Sequence, residues 1–326
     1  MRDAPEEAMI RHFYVCYGTI ENSTIPCRLI TRTIPKALSV TGFMDEPVEF
    51  EGFFYCRTKD DAAVDEASTV VFVADRIGWY PDTTTLAKSE YVSLAALGFD
   101  VAQFDDVLRS HGKGLGKADS EAFFRMLAAM NNAKDDLAIS RQPFRRVGLA
   151  ELLKDSAKKL GSGVQFTAGC RSCLRMEVPY DDIRNRLGVK EYYQLVVFPK
   201  LKNHVLIKEG DKEVALDRYP ITICCTELPA GMKPEDLENR DVSIDGYFYR
   251  LWKFETEATD RAEISGAVSP LILARAPRVL KASTANLNRF VLVFVLGVIG
   301  TIGCLLAYLR ISDRGGKSES VLQSLP

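Results

Sequence analysis

Hydrophobic and polar residues alternate with a period of two in two similar stretches of the chain. Val48, Phe50 and Gly52 occupy every second position of the first stretch, and Val242 and Ile244 begin the same pattern in the second. Side chains on a strand point alternately to its two faces, so this spacing predicts a β-strand in each stretch. A glycine within a strand, followed here by three aromatic residues, predicts a bulge or a sharp bend.

The two stretches belong to a longer internal repeat, in which Ile34–Tyr55 aligns with Leu228–Tyr249 without a gap at a shift of 194 residues. Identical residues in this alignment are Pro35 and Pro229, Val48 and Val242, Gly52 and Gly246, Phe54 and Phe248, and Tyr55 and Tyr249. An acidic loop and then an apolar run follow each copy, Val70–Ala74 in the first and Leu271–Ala274 in the second. Several short strands with a central glycine are typical of a small β-barrel of the oligonucleotide-binding type. The repeat therefore predicts a duplicated small β-barrel module.

The hydrophobic period changes to that of helices between the two copies. Leu86, Leu94 and Leu97 share one helical face and are followed by Gly98, a C-cap signal. Two further helices are predicted to begin at the Asp100–Gln103 capping pair and at Ser120. A fourth helix is predicted over Leu149–Leu160 and is closed by Gly161. Beyond them, strands are predicted at Val164–Val178 and Tyr192–Phe198, with a short helix at Asp182–Leu187 between them.

A run of twenty residues without a charge, Phe290 to Leu309, predicts a transmembrane helix. At a rise of about 1.5 Å per residue, such a helix spans roughly 30 Å, the thickness of the hydrocarbon core of a bilayer. Arg289 and Arg310 flank the span. Small residues at Gly297, Gly300 and Gly303 leave self-association of this helix open, although glycine is common in membrane helices generally.

These elements predict an α+β protein with two β-barrel modules, a helical segment between them and one C-terminal transmembrane helix. The predicted boundaries are 1–82 for the first β-module, 83–160 for the helical segment, 161–280 for the second β-rich region, 281–289 for a linker, 290–309 for the transmembrane helix and 310–326 for the tail.

The N-terminal residues Met1–Ile10 carry acidic residues and no apolar core, so no secretory signal peptide is expected there. A single C-terminal span would then leave the bulk of the chain in the cytoplasm; an upstream signal peptide would reverse this orientation. Basic residues are nearly balanced across the span and do not decide between the two. Seven of the eight cysteines lie outside the span, an odd number that favours a reducing compartment.

With 42 basic and 44 acidic residues, the formal net charge is -2. This near-neutral balance lacks the basic field of a protein that wraps nucleic acid, so nucleic acid is not the expected partner. Hydrophobic residues make up 47% of the chain, which is typical of a globular protein and excludes disorder throughout.

The V-x-x-x-G-F/Y-F-Y strands, the segment Tyr192–Phe198, the proline-led strand Tyr219–Cys225 and the C-terminal span together resemble a group of uncharacterised predicted membrane proteins of planctomycete-type bacteria. The resemblance covers most of the chain through short motifs. It implies tandem small β-barrels and a membrane span, and it implies no activity.

Three motifs bear on chemistry. Cys170 and Cys173 have the C-x-x-C spacing of a redox pair or half a zinc site, but they lie in a strand-like stretch rather than at a helix N-terminus. The glycine-rich sequence His111–Lys117 resembles a phosphate-binding loop, but its spacing is wrong and it is interpreted as a linker between helices. The aromatic triads Phe53–Tyr55 and Tyr247–Tyr249 lie beside basic residues, as in single-stranded nucleic-acid binding, but burial in the core is the preferred interpretation.

We therefore expect a single-pass membrane protein that acts as a non-enzymatic binding or scaffold module, with the lipid bilayer and a protein partner or a second copy of the chain as its contacts. The alternative is a membrane-bound, thiol-dependent enzyme that uses Cys170 and Cys173. The sequence predicts no catalytic, cofactor-binding or metal-binding residue, and it does not identify a ligand.

Overall fold

A computed structural model of the chain describes residues 2–3, 12–38, 45–58, 68–132, 149–209, 212–253 and 268–280. Contacts divide the chain into two units, Met1–Leu280 and Lys281–Pro326. The predicted linker, membrane helix and tail, residues 281–326, lie outside the described residues. Within the ranges given above, no helix is both long enough and apolar enough to cross a membrane.

Short runs rich in β-branched and aromatic residues form an open sheet in the first region. Its strands are β1 (Arg2–Asp3), β2 (His12–Thr19), β3 (Pro26–Thr33), β4 (Val48–Glu49), β5 (Gly52–Thr58), β6 (Thr69–Arg76) and β7 (Gly78–Trp79). Five strands are paired in the order β1-β2-β3-β6-β5, with β3 and β6 parallel, and β4 pairs with β7. The described part of the first region is thus a sheet with two open edges.

The middle of the chain is helical, as predicted, although the boundaries differ. The helices are α1 (Ser89–Ala96), α2 (Phe104–Arg109), α3 (Lys117–Asn132) and α4 (Leu149–Lys154). Asp100 does not begin a full α-helix: its carboxylate accepts a hydrogen bond from the Ala102 amide at 3.0 Å and caps a 3₁₀ turn, Val101–Gln103, that precedes α2. The predicted helix Leu149–Leu160 divides into α4 and a second 3₁₀ turn, Ser156–Lys159.

The second region contains most of the remaining strands and two short helices. In chain order they are β8 (Gly163–Glu177), α5 (Asp181–Leu187), β9 (Glu191–Phe198), β10 (Lys200–Glu209), β11 (Lys212–Arg218), β12 (Ile221–Cys225), α6 (Pro234–Leu237), β13 (Asp241–Lys253), β14 (Val268–Ala274) and β15 (Arg278–Val279). The hairpin of β10 and β11 was not predicted.

Five strands of the second region close into a ring. The order is β8-β9-β12-β14-β13, and β13 pairs again with β8. Strands β12 and β14 are parallel, and all other neighbours in the ring are antiparallel. The fold is therefore α+β, with several sheets and few helices, and the ring is compatible with a small β-barrel.

Corresponding strands of the two regions share the same pairing register. Gly52 is opposite Ala74 in the first region, and Gly246 is opposite Ala274 in the second. The register then shifts at corresponding points, between Phe54 and Cys56 and between Phe248 and Arg250. The irregularity predicted at the glycine therefore lies two residues further along each strand.

The two glycines are required by the close approach of a neighbouring backbone. A Cβ atom on Gly52 would lie 2.4 Å from the carbonyl oxygen of Val73, and one on Gly246 would lie 2.5 Å from that of Leu273. These separations are shorter than van der Waals contact, so any side chain would push the strands apart.

Two hydrophobic clusters hold the described unit together. One fills the interior of the ring and contains Val164, Ile223, Phe248 and Ile272, all fully buried. The other lies between the helices and the outer side of the strands and includes the aromatic rings of Phe123, Tyr192, Tyr247 and Tyr249. The helices therefore cover the outside of β13 and β14.

Candidate partner-binding surface

The two aromatic triads occupy corresponding strand positions but differ completely in exposure. Tyr247 is 1% exposed, and Phe248 and Tyr249 are fully buried, as the core interpretation predicts. Their counterparts in β5 are on the surface, with exposed fractions of 82% for Phe53, 59% for Phe54 and 70% for Tyr55. The core interpretation is therefore wrong for the first triad.

Helix α3 covers Tyr249 of the second triad on the outer side of the ring, whereas Phe248 lies in the cluster inside the ring. The Tyr249 hydroxyl donates to the carbonyl oxygen of Asp119 in α3 at 3.0 Å, and the Phe123 ring lies edge-on to the Tyr249 ring with centroids 5.8 Å apart. No described helix covers β5 in this way. We call the residues Phe53, Phe54 and Tyr55 the aromatic strand.

The edges of the corresponding strands also differ. In the second region, residues Asp241–Tyr247 of β13 pair with Gly163–Gly169 of β8. In the first region, β4 and β5 pair with β7 and β6 on one side, and no strand in the described part of the chain pairs with their other side. We call this side, formed by residues 47–54, the free edge.

The free edge carries negative charge on one face. Glu49, at the end of β4, and Glu51, between β4 and β5, are both exposed and line the same polar cavity. Burial raises the pKa of the nearby Tyr80 hydroxyl to about 12, and the carboxylates of Asp100 and Glu49 contribute to this increase. Tyr80 is therefore neutral at physiological pH and does not add to the charge.

A polar cavity of about 320 Å³ adjoins this acidic face. It is lined by residues that include Glu49, Arg76, Asp100, Gln103 and Arg125. Burial raises the pKa of the Asp100 carboxyl, while hydrogen bonds from the amides of Trp79 and Ala102 oppose the increase. The side-chain oxygen of Gln103 is buried and accepts no hydrogen bond from the described residues. Both arginines also have carboxylate partners, Asp106 for Arg76 and Glu121 for Arg125.

Cys170 and Cys173 lie in β8 with their side chains buried. Burial raises the pKa of Cys170 to about 11 and that of Cys173 to about 12. Because the thiolate is the nucleophile, thiols with such pKa values are unreactive at neutral pH. This environment is unfavourable for the thiol-dependent enzyme considered as the alternative.

Alkylation kinetics test this conclusion. We expect native protein treated with iodoacetamide at pH 8 to be modified at the partly exposed Cys56 well before Cys170 or Cys173. The alkylation rate should rise only as the pH approaches about 11 for Cys170 and about 12 for Cys173. Peptide mapping by mass spectrometry measures the order. Denatured protein, in which all three should react at similar rates, is the control; rapid native alkylation of Cys170 would revive the enzyme alternative.

The glycine-rich sequence connects α2 to α3, as predicted for a linker. Its carbonyl groups point inward to a fully buried arginine: Arg250 donates to the oxygens of Ser110 and Lys113, both at 2.7 Å, and to that of Gly114 at 3.0 Å. Arg250 also forms a fully buried ion pair with Asp119 at 2.8 Å. This structural role of Arg250 was not predicted from the sequence.

No protein-family model matches the chain, and no curated protein is significantly similar to it. In the part of the chain that the structure describes, no group of three histidine, cysteine or acidic residues is placed to hold a metal ion. The aromatic strand and the free edge are the features of the described residues from which a function is inferred below.

Proposed function

We propose that this chain is a membrane-anchored, non-enzymatic binding protein and that the aromatic strand in its first region contacts a protein partner. The observation that carries the proposal is the contrast between the two triads: the same strand position is buried at Phe248 and exposed at Phe54. Phe53 and Tyr55 share one face of β5 and Phe54 lies on the other. Exposed aromatic side chains of this kind are typical of interaction sites.

We further infer that the two β regions are copies of one module of the oligonucleotide-binding type. Three features support this inference: the shared register at Gly52 and Gly246, the equivalent parallel pairs β3–β6 and β12–β14, and the equivalent pairs β4–β7 and β13–β15. If the five ring strands are numbered 1 to 5 in chain order, their order around the ring is 1-2-3-5-4, and strand 4 pairs with strand 1. A five-stranded, Greek-key barrel is the architecture of that fold.

Site-specific photo-crosslinking tests the binding surface. With a photoreactive phenylalanine analogue in place of Phe53, we expect the full-length chain in its native membranes to form a defined crosslinked protein product. An analogue in place of Leu174, which is also exposed but lies on β8 of the ring, is the matched control and should give little product. Tyr55→Ser should weaken crosslinking from position 53. Equal products from both positions, or none from position 53, would contradict the proposal.

Binding of single-stranded nucleic acid is the competing use of exposed aromatics, since bases stack on them beside basic residues. Arg28 lies over the Tyr17 ring at 5.2 Å, and Arg57 is exposed at the end of β5. The acidic pair Glu49 and Glu51 and the net charge of -2 disfavour a phosphate backbone at this surface. Irradiation with labelled oligonucleotides in place of membranes distinguishes the two partners.

The proposed anchor is residues 290–309. We expect the full-length chain to stay in the pellet of carbonate-washed membranes, because the uncharged run is long enough to span a bilayer. Deleting residues 290–326 should release a soluble protein that keeps its circular dichroism spectrum. If the truncated chain aggregates while the full-length chain is soluble without detergent, residues 290–309 form a buried helix and the anchor is wrong.

A further inference from the structure

We propose that the partner adds an extended strand to the free edge, antiparallel to β4 and β5, and so takes the place that β8 holds in the second region. This inference rests on the proposed binding function and specifies how the partner is recognised. It starts from the difference between two corresponding strands: among the described residues, β13 is paired on both sides, whereas β4 and β5 are paired on one.

The second region supplies the template for the occupant. Seven consecutive residues of β13, Asp241–Tyr247, pair with β8, and they correspond to residues 47–53. In the first region, β1 already occupies part of the position that β8 has in the second region. β1 pairs with the first two residues of β2, just as the end of β8 pairs with the start of β9. The remainder is not paired by any strand among the described residues.

The backbone groups available for pairing follow from the second region. The Phe248 amide donates to the Ser162 oxygen at 2.9 Å, and the Phe248 oxygen accepts from the Gly161 amide at 2.8 Å. In an antiparallel sheet, the backbone N–H and C=O groups of every second residue point to the same side of the strand. Phe54 corresponds to Phe248, so the backbone groups of Val48, Phe50, Gly52 and Phe54 point to the free edge. A strand edge with unpaired groups is a template for strand addition.

The side chains opposite the free edge define the chemistry of the added strand. In β8, Val164 and Ala168 face the interior of the ring, and Gln165 between them donates to Asp245 at 2.8 Å. Asp245 corresponds to Glu51, so a partner residue opposite Glu51 would be basic or an amide. Opposite charges on directly paired residues stabilise a sheet, and like charges destabilise it. The fitting segment thus alternates apolar residues with basic ones.

A second copy of the chain fits this edge less well. If two free edges pair about a two-fold axis at Phe50, Glu49 of each copy lies opposite Glu51 of the other. Four carboxylates would then share one face of the new sheet, which is unfavourable. We therefore assign the edge to a different chain, with a basic and apolar alternation.

Peptide binding to the full-length chain in detergent micelles tests the proposal. The probe is the capped nonapeptide VKVKVKVKV, and the controls are its block isomer VVVVVKKKK and the acidic peptide VEVEVEVEV. We expect only the first to slow hydrogen exchange of the amides in residues 48–54, by about tenfold or more, and to bind about tenfold more tightly than either control. Glu49→Lys with Glu51→Lys should reverse the preference between the basic and acidic peptides.

The pair Phe50→Pro and Phe50→Ala separates the backbone from the side chain. Both variants lose the aromatic ring, but only proline loses the amide that faces the free edge. We expect the proline variant to bind VKVKVKVKV about tenfold more weakly than the alanine variant. If the proline variant does not fold, the exchange measurement on the unmodified chain decides alone.

The outcomes distinguish this inference from the proposed function. Crosslinking from position 53 without peptide protection of residues 48–54 would overturn strand addition and leave a binding surface of another kind. Absence of both would overturn the proposed function as well. Equal protection by all three peptides would contradict the chemistry assigned to the strand, and a dimer that dissociates when VKVKVKVKV is added would assign the edge to a second copy.

Discussion

Replacing Phe248 by alanine is expected to lower the free energy of unfolding by about 3–5 kcal/mol, whereas Phe54→Ala should lower it by less than about 1 kcal/mol. Phe248 is fully buried inside the ring, so its removal leaves a cavity among packed side chains. Phe54 is more exposed than buried, and its closest described aromatic neighbours include Phe72, with ring centroids 6.2 Å apart. Its removal therefore uncovers little apolar surface.

Urea unfolding of the chain that lacks residues 290–326, followed by tryptophan fluorescence, measures both variants. The comparison is well matched because the same residue type is removed from corresponding positions of two equivalent strands. Equal losses would mean that Phe54 is buried in the isolated chain. The aromatic strand would then be unavailable to a partner, and the proposed binding surface would be wrong.

The two strands with a period-two pattern could be predicted because this pattern is local. Alternation at Val48 and Phe50, and again at Val242 and Ile244, indicates a strand regardless of what packs against it. Val48 lies in β4 and Phe50 lies between β4 and β5. Val242 and Ile244 both lie in β13. The need for glycine at positions 52 and 246 was less visible. Glycine is required because a carbonyl oxygen of the neighbouring strand lies close to each position. The residue pattern of a single strand does not indicate how closely a neighbouring backbone approaches it.

The exposure of the aromatic strand could not be predicted from its own residues. Burial of Tyr249 depends on Phe123 and Asp119 in α3, which lie far from it in the sequence. The first triad has the same aromatic pattern, but among the described residues β6 pairs with only one side of β5 and no helix covers its aromatic side chains as α3 covers Tyr249. One local signal was present: Phe50 lies between two glutamates, whereas Ile244 lies between Ser243 and Asp245. Two acidic neighbours are expected on a strand that remains open to water.

The missed hairpin has a similar explanation. Gly210 and Asp211 separate two runs with strand character, and this is a recognisable turn signal. Lysines and glutamates flank this turn. β10 and β11 nevertheless pair over most of their length, because cross-strand partners satisfy the backbone even in a polar hairpin.

Replacing Arg250 by methionine is expected to lower the free energy of unfolding by about 3–5 kcal/mol, because it leaves the Asp119 carboxylate buried without its cation. Both side chains of this ion pair are fully buried, and the arginine also binds carbonyl groups of the loop between α2 and α3. Residual contacts to Asp119, from the Ser110 hydroxyl at 2.9 Å and the Gly116 amide at 3.1 Å, are too few to replace a guanidinium.

Arg186→Met is the matched control, since Arg186 forms an ion pair with Glu121 through contacts of 2.6 and 2.8 Å and both side chains remain accessible to water. An exposed pair of this kind contributes at most about 1 kcal/mol. The double variant Arg250→Met, Asp119→Asn should recover part of the loss, because it removes the uncompensated charge. If Arg250→Met costs no more than Arg186→Met in urea unfolding, water reaches the Asp119 carboxylate, and the glycine-rich loop does not depend on this buried arginine.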